Sequence, residues 1–244
     1  MKDYIVASYI SGVYDVNRNT ILADDDYSII QDWVNSISKL KLRGIVFHNN
    51  CSVATCERYQ NEYITFIKID HDVQFNPNVY RYYIYNEFLK LNSEFINNIF
   101  FTDISDVIVL KNPFLEQLYI DNPTSIFCGD EPKILNNEWM QQHSENLRNN
   151  IHDYEMYESN FANSILLNCG IMGGNITVMK HFINKLWTIH QKYNSDNKTA
   201  FTGDMGAFNY LIRTQYNNNV IHGNPVNTEF KKYLENTDCW FKHK

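Results

Sequence analysis

Between Asn98 and Phe114 the chain reads NIFFTDISDVIVLKNPF, and this stretch constrains the fold more than any other. The apolar run Ile99, Phe100, Phe101 predicts a buried strand that breaks off into Asp103 and Asp106. A second apolar run, Val107–Leu110, follows at once, and Asn112-Pro113 closes the unit with a turn signal. Two carboxylates at the exit of a buried strand are costly unless something positive meets them. A hard divalent cation, which takes oxygen ligands and bridges readily to phosphate, would do so. The competing reading of an isolated D-x-x-D is a loop with two solvated aspartates. The setting favours the first: strands on either side, and further polar groups downstream that could converge on the same point.

Composition narrows the function classes. The 244 residues suffice for one large domain with a substantial core, and 44% hydrophobic content with 15% aromatics is globular. A net charge of −7, with Lys and Arg scattered, argues against a nucleic-acid-binding face. The abundant asparagines read as base-composition bias rather than as chemistry. The five cysteines, Cys51, Cys56, Cys128, Cys169 and Cys239, form no C-x-x-C pair and are odd in number. Cys128 and Cys169 lie in apolar strand-like runs, so buried free thiols in a reducing compartment are expected. The N-terminal MKDYIVASYISG enters a strand pattern directly, with too short an apolar run for a signal peptide, and no stretch is long enough to span a bilayer. The expectation is a soluble, cytoplasmic protein.

Along the chain, strand and helix signals alternate. Tyr4–Ile10 predicts a buried parallel strand, and Tyr27–Leu40 an amphipathic helix stopped by Gly44. Strands follow at Ile45–Phe47 and Tyr63–Ile69, then a helix over Val79–Leu91 opened by Pro77. After the D-x-x-D unit come a strand at Ser125–Phe127, ending in Gly129-Asp130-Glu131, and a polar loop-and-helix excursion over 132–160. Ser164–Leu167 and Ile171-Met172 flank Asn168-Cys169-Gly170. Helices are predicted over Thr177–Tyr193 and Asp204–Tyr216, then a short strand at Val220-Ile221 ahead of His222-Gly223 and a polar tail. No repeat, low-complexity linker or composition break marks a boundary, so residues 1–244 read as one domain. Alternating β and α units imply a mostly parallel sheet with helices on both faces, and such sheets bind ligands beyond the carboxyl ends of their strands. Asp103 and Asp106, Asp130 and Glu131, Asn168 and His222 all follow predicted strands.

The order of these features resembles that of GT-A glycosyltransferases. It runs strand, aspartate pair and hydrophobic strand, then N-x-G, then a helix starting at an Asp, then a late strand with His-Gly. The chain is most similar to the retaining group with glycogenin and bacterial lipopolysaccharide galactosyltransferases, and to small D-x-x-D enzymes of giant viruses, algae and plants. The viral members imply a host-cell cytoplasm as one setting. The resemblance implies a GT-A, Rossmann-like α/β fold and a manganese or magnesium ion held against the diphosphate of a nucleotide sugar. It implies a glycan or glycoprotein acceptor. Asp106 matches the metal-binding second aspartate of the usual D-x-D. Asp103 matches the first, which commonly touches ribose and metal, although D-I-S-D carries one residue more.

His222 in VIHGNP matches the family's late histidine ligand, and a neutral imidazole suits manganese; a histidine capping a strand end is the alternative. The family's following lysine has no clean equivalent, Lys231 and Lys232 being nearest. Arg81 matches an arginine that contacts the donor or braces the aspartates, a role its fork of donors suits; packing along its tyrosine neighbours competes with it. Ser8 and Tyr9 match where base and ribose dock. Asn168 and Gly170 match the N-x-G lining the acceptor pocket, with Gly173 and Gly174 allowing close backbone approach. Asp204 is a helix-start aspartate and also a candidate catalytic carboxylate facing the acceptor hydroxyl. Asp130 and Glu131 form a second possible carboxylate pair. Two other functions compete: a sugar nucleotidyltransferase, whose basic Gly-rich loop after the first strand is here reduced to Gly12 and Arg18, and a catalytically silent binder of sugar nucleotide or glycan.

Overall fold

The computed structural model describes residues 1–15, 19–193, 203–234 and 237–244; Arg18 lies outside them. The strands are β1 (Lys2–Tyr9), β2 (Tyr14–Asp15), β3 (Thr20–Ile21), β4 (Gly44–His48), β5 (Ile64–Lys68), β6 (Ile96–Thr102), β7 (Val107–Val109), β8 (Ile126–Ile134), β9 (Ile165–Asn175), β10 (Val220–His222) and β11 (Phe241–His243). The α-helices are α1 (Gln31–Lys39), α2 (Val53–Tyr59), α3 (Pro77–Asn92), α4 (Gln117–Ile120), α5 (Glu138–His143), α6 (Glu145–Asn150), α7 (Tyr154–Phe161), α8 (Ile176–Tyr193) and α9 (Asp204–Leu211).

Seven strands form the central sheet in the order β10-β8-β9-β6-β1-β4-β5. All neighbours are parallel except β9, which runs antiparallel to both β6 and β8. The period-two alternation of side chains divides the apolar residues between two faces. Val6, Ile99, Phe101 and Met172 pack under α3, α8 and α9 on one side. Ile5, Ala7, Phe100 and Ile171 pack with α1 and β7 on the other. The fold is a mixed α/β sandwich, as the alternating signals predict.

Several boundaries differ from the sequence-based expectation. The helix expected over Tyr27–Leu40 is a 3-10 turn at Tyr27–Ile29 followed by α1, because Asp26 Oδ1 accepts from Ser28 N at 3.0 Å and starts a separate turn. Asn168-Cys169-Gly170 does not interrupt a strand: β9 runs through it, with a register shift against β8 between Cys128 and Gly129. Pairing on both edges overrides the weak strand preference of Asn and Gly. Gly129-Asp130-Glu131 lies within β8 rather than after it. The second half of the helix expected over Asp204–Tyr216 is a π-helical turn, Ile212–Tyr216. The largest difference is the polar tail, whose end returns as β11 to pair antiparallel with β7, Phe241 opposite Val109 and His243 opposite Val107.

The five cysteines are free. Among the described residues no helix is long and apolar enough to cross a membrane.

Trp240 and Phe241 are fully buried, and the Phe241 ring lies 5.0 Å from that of Phe100. The tail is therefore part of the second-face core. Phe241→Ala should destabilise the protein by about 3–5 kcal/mol, the usual cost of emptying a buried phenylalanine site, and chemical denaturation will measure it.

Candidate functional site

A cleft of about 470 Å³ opens beyond the carboxyl ends of β1 and β6. The Asp103 amide donates to the Gly170 carbonyl at 2.7 Å, which fixes the first residue after β6 against β9. Gly170 leaves the space that the aspartate occupies: a Cβ there would lie 2.6 Å from Asp103 Oδ2 and 2.8 Å from His243 Cε1. Asp103, Asp106 and His243 each present a ligand atom, all within 4.8 Å of one another.

His243 is the residue that sequence reasoning missed. It is 1% exposed, and its amide donates to Thr228 Oγ1 at 3.1 Å. Burial pushes its pKa below the ordinary histidine value, against the opposing pull of Asp103 and Glu131, so the ring is neutral near pH 7. Its Nδ1 is buried and makes no hydrogen bond among the described residues. Two carboxylates with a neutral imidazole are a donor set that fits manganese or magnesium. The available signal was the aromatic pair Trp240-Phe241 in an otherwise polar tail, which marks a buried strand beside His243.

Arg81, in the second turn of α3, lies beneath the cleft. Its Nη1 is paired with Asp103 Oδ1, and its Nη2 lies 3.4 Å from Asp204 Oδ2, 3.2 Å from Cys169 Sγ and 3.1 Å from the Tyr82 hydroxyl. Burial works against its charge, but Tyr82, Asp103, Cys169 and Asp204 outweigh it and hold the guanidinium firmly protonated. Asp204 follows the left-handed Gly203 (φ 63°) as the first residue of α9, and its Oδ1 accepts from Met205 N at 2.9 Å. Asn168 Oδ1 accepts from Gly170 N at 2.6 Å while its Nδ2 donates to Glu131 Oε1 at 2.9 Å. Arg81, Asp103, Asp106, Asn168, Gly170 and Asp204 thus share one cleft.

The other candidates fall as follows. Ser8 and Tyr9 line the cleft at the end of β1. The Ser8 hydroxyl accepts from Tyr85 at 3.3 Å, whereas Tyr9 is 2% exposed and donates to the Ala23 carbonyl, so its ring belongs to the core wall. His222 stands apart from the Asp103–Asp106–His243 group, with its Nδ1 2.8 Å from Asp130 Oδ2 at the sheet edge. Lys231 lines the cleft, its ammonium 5.0 Å from the Phe230 ring centroid, while Lys232 pairs with Glu229 at 3.5 Å. Gly173 and Gly174 lie away from the cleft; a Cβ on Gly173 would strike the Phe100 ring at 2.3 Å, so it serves strand packing.

No protein-family model and no curated protein sequence matches the chain. Among solved structures it is similar to the galactosyltransferase LgtC, determined in complex with donor and acceptor sugar analogues. The match has a TM-score of 0.54 at 15% identity and covers 99% of this chain and 86% of that chain. At that identity the likeness is one of fold, and the fold is GT-A: a mostly parallel, Rossmann-like central sheet flanked by helices.

Gly170→Ala should leave the chain folded and push Asp103 away from Asp106 and His243; a manganese titration followed by calorimetry should show at least tenfold weaker binding. A second outcome concerns pH. His190 is fully buried, stacked on Tyr82 with centroids 4.9 Å apart, and burial lowers its pKa from 6.5 to about 3. The unfolded chain takes up this proton below about pH 6.5 and the folded chain only near 3, so stability should fall as pH drops through that window. The slope from this one group reaches about 1.4 kcal/mol per pH unit. His190→Phe keeps the stack and should make the acid limb of a urea-midpoint series shallower.

Proposed function

We propose that the chain is a metal-dependent glycosyltransferase that moves a sugar from a nucleotide-diphosphate sugar to a hydroxyl of a glycan or a protein-linked glycan. The observation that carries this is the convergence of Asp103, Asp106 and neutral His243 at the mouth of a GT-A cleft. A bound manganese or magnesium ion would stabilise the charge that develops on the departing diphosphate. The chain's own groups divide the remaining work. Ser8 with the apolar side chains Ile10, Val13, Leu22 and Ile29 forms the wall at the β1 end, suited to a nucleoside. Lys231 lines the cleft and suits a diphosphate. Arg81 pairs with both Asp103 and Asp204 and so ties the two carboxylates to one guanidinium. On transfer, the bond from the anomeric carbon to the phosphate oxygen breaks with its electron pair leaving on the nucleoside diphosphate. The acceptor oxygen bonds to that carbon and loses its proton, and in this reading the Asp204 carboxylate takes that proton. The free thiols suit a reducing cytoplasm.

A silent sugar-nucleotide binder is the second reading, favoured by the engagement of Asp204 with Arg81 and the Met205 amide. Asp204→Asn separates the two. Nucleotide binding should survive, and transfer should fall about a hundredfold or more if the carboxylate accepts a proton. Unchanged transfer would leave Asp204 a positioning role only.

The central test is a thermal-shift series with UDP and GDP, with and without manganese. A ligand specific for the folded state raises the melting temperature with its concentration over Kd. Asp106→Ala and His243→Ala should each remove the manganese-dependent rise, whereas His222→Ala should retain it. Release of UDP or GDP from the corresponding nucleotide sugars then reports turnover. A manganese-dependent rise that persists in Asp106→Ala would overturn the placement of the metal.

A further inference from the structure

We propose that Trp139 is a stacking platform for a pyranose ring of the acceptor, so that this chain selects a carbohydrate rather than a bare hydroxyl-bearing peptide; the inference rests on the glycosyltransferase reading. Trp33 and Trp240 are fully buried and Trp187 is 8% exposed, whereas Trp139 is 38% exposed and lines the cleft. An indole left open inside a polar cleft carries a hydration cost that a ligand with an apolar face would remove.

The ring is held rather than free. Its back stacks on the His143 imidazole, with centroids 3.5 Å apart and planes within 24°, and His143 is itself buried. His143 Nδ1 is bonded to the Trp139 carbonyl at 2.7 Å. At the start of α5, Asn137 Oδ1 accepts from Met140 N at 3.1 Å while its Nδ2 donates to Ile134 O at 2.7 Å, tying α5 to the end of β8. A rigid aromatic with one face backed by His143 and the rest of the residue partly open loses little entropy on binding.

Polar side chains line the same cleft. Glu131, on β8, has a side chain only 10% exposed; its Oε1 takes the Asn168 amide, and its Oε2 lies 3.9 Å from Lys133 Nζ. Carboxylate, amide and ammonium together offer acceptors and donors to vicinal hydroxyls. A pyranose presents C–H groups on its face and hydroxyls at its rim, which matches an indole, a carboxylate and an ammonium lining one cleft. The sheet order places β9 and β8 on the opposite side of β6 from β1. Glu131 on β8 and Asn168 on β9 therefore lie on the other side of the β6 exit from Ser8, where an acceptor must stand if the nucleoside occupies the β1 end, and Trp139, on the helix that follows β8, lines the same cleft.

The test uses the full chain with UDP, GDP and manganese present, titrated with the methyl β-glycosides of glucose, galactose, mannose, N-acetylglucosamine and xylose. Tryptophan fluorescence and ligand-observed NMR saturation transfer are the readouts. At least one glycoside should change the emission and receive saturation at its ring C–H protons. Trp139→Ala should weaken that binding at least tenfold and Trp139→Tyr should restore part of it. Glu131→Gln should weaken it with the indole still present. Melting temperatures of each variant confirm folding, and Trp139→Tyr stands in should the alanine variant fail to fold. No binding by any glycoside, or equal binding by Trp139→Ala, overturns the platform even where the nucleotide-dependent thermal shift is intact. Loss of that shift with Trp139-dependent sugar binding retained would overturn the transferase reading and leave the platform standing.

Discussion

The guanidinium of Arg81 sits almost without solvent beneath the cleft, with Asp103 on one side and Asp204 on the other. Removing such a charge from water costs several kcal/mol and is tolerated only where partners surround it. The arrangement works in both directions. The two carboxylates neutralise the arginine, and the arginine allows two negative groups from distant parts of the chain to stand together at the end of the sheet. α3 carries Arg81, the exit of β6 carries Asp103, and the first turn of α9 carries Asp204, so one ion-pair network joins three separate elements. Cys169 and Tyr82 complete the set of groups around Nη2.

The Asp103–Asp106–His243 group depends on a different constraint, the return of the chain as β11. β11 adds to β7 at the opposite face of the sheet from α3, and the buried aromatic residues Trp240 and Phe241 anchor it in that face's apolar cluster. Hydrophobic packing of two aromatic residues thereby delivers an imidazole to the two aspartates. Lys244 reinforces the placement, its amide donating to the Asp106 carbonyl at 2.8 Å and its ammonium pairing with Asp32. Cleft and core are consequently coupled: changes that loosen the second-face cluster should also loosen the Asp103–Asp106–His243 group. Gly170 matters for the converse reason, since the absence of a side chain leaves room for Asp103 and His243 to approach the same point.

The cleft has two unlike walls. Near β1 it is formed by Ser8 and aliphatic residues, and near β8 and β9 by Glu131, Lys133 and Asn168, with Trp139 of α5 also lining it. The antiparallel β9 between β6 and β8 produces this division, because it brings Asn168 and Gly170 back to the same sheet edge from which Asp103 departs. A fully parallel sheet would need a further crossover to do so.

Local patterns determined much of this protein. Apolar runs of strand length and helical periodicities specified β1, β4, β5, β6, α3 and α8 to within a few residues, because each buries a continuous face and periodicity reports burial. The aspartates after β6 were legible for the same reason: carboxylates at the exit of a buried strand stand out against their surroundings. Arg81, Asn168, Gly170 and Asp204 could be named from their order along the chain, but nothing local stated that they would converge. What only tertiary structure decided was partnership. His222 and His243 both end three-residue strands late in the chain, yet β10 pairs with β8 and brings His222 to Asp130, while β11 pairs with β7 and brings His243 to Asp103 and Asp106. A three-residue strand carries too few side chains to encode its own neighbour. Its address is set by which edge remains unpaired and which cavity its aromatic residues fill once the rest of the sheet has formed.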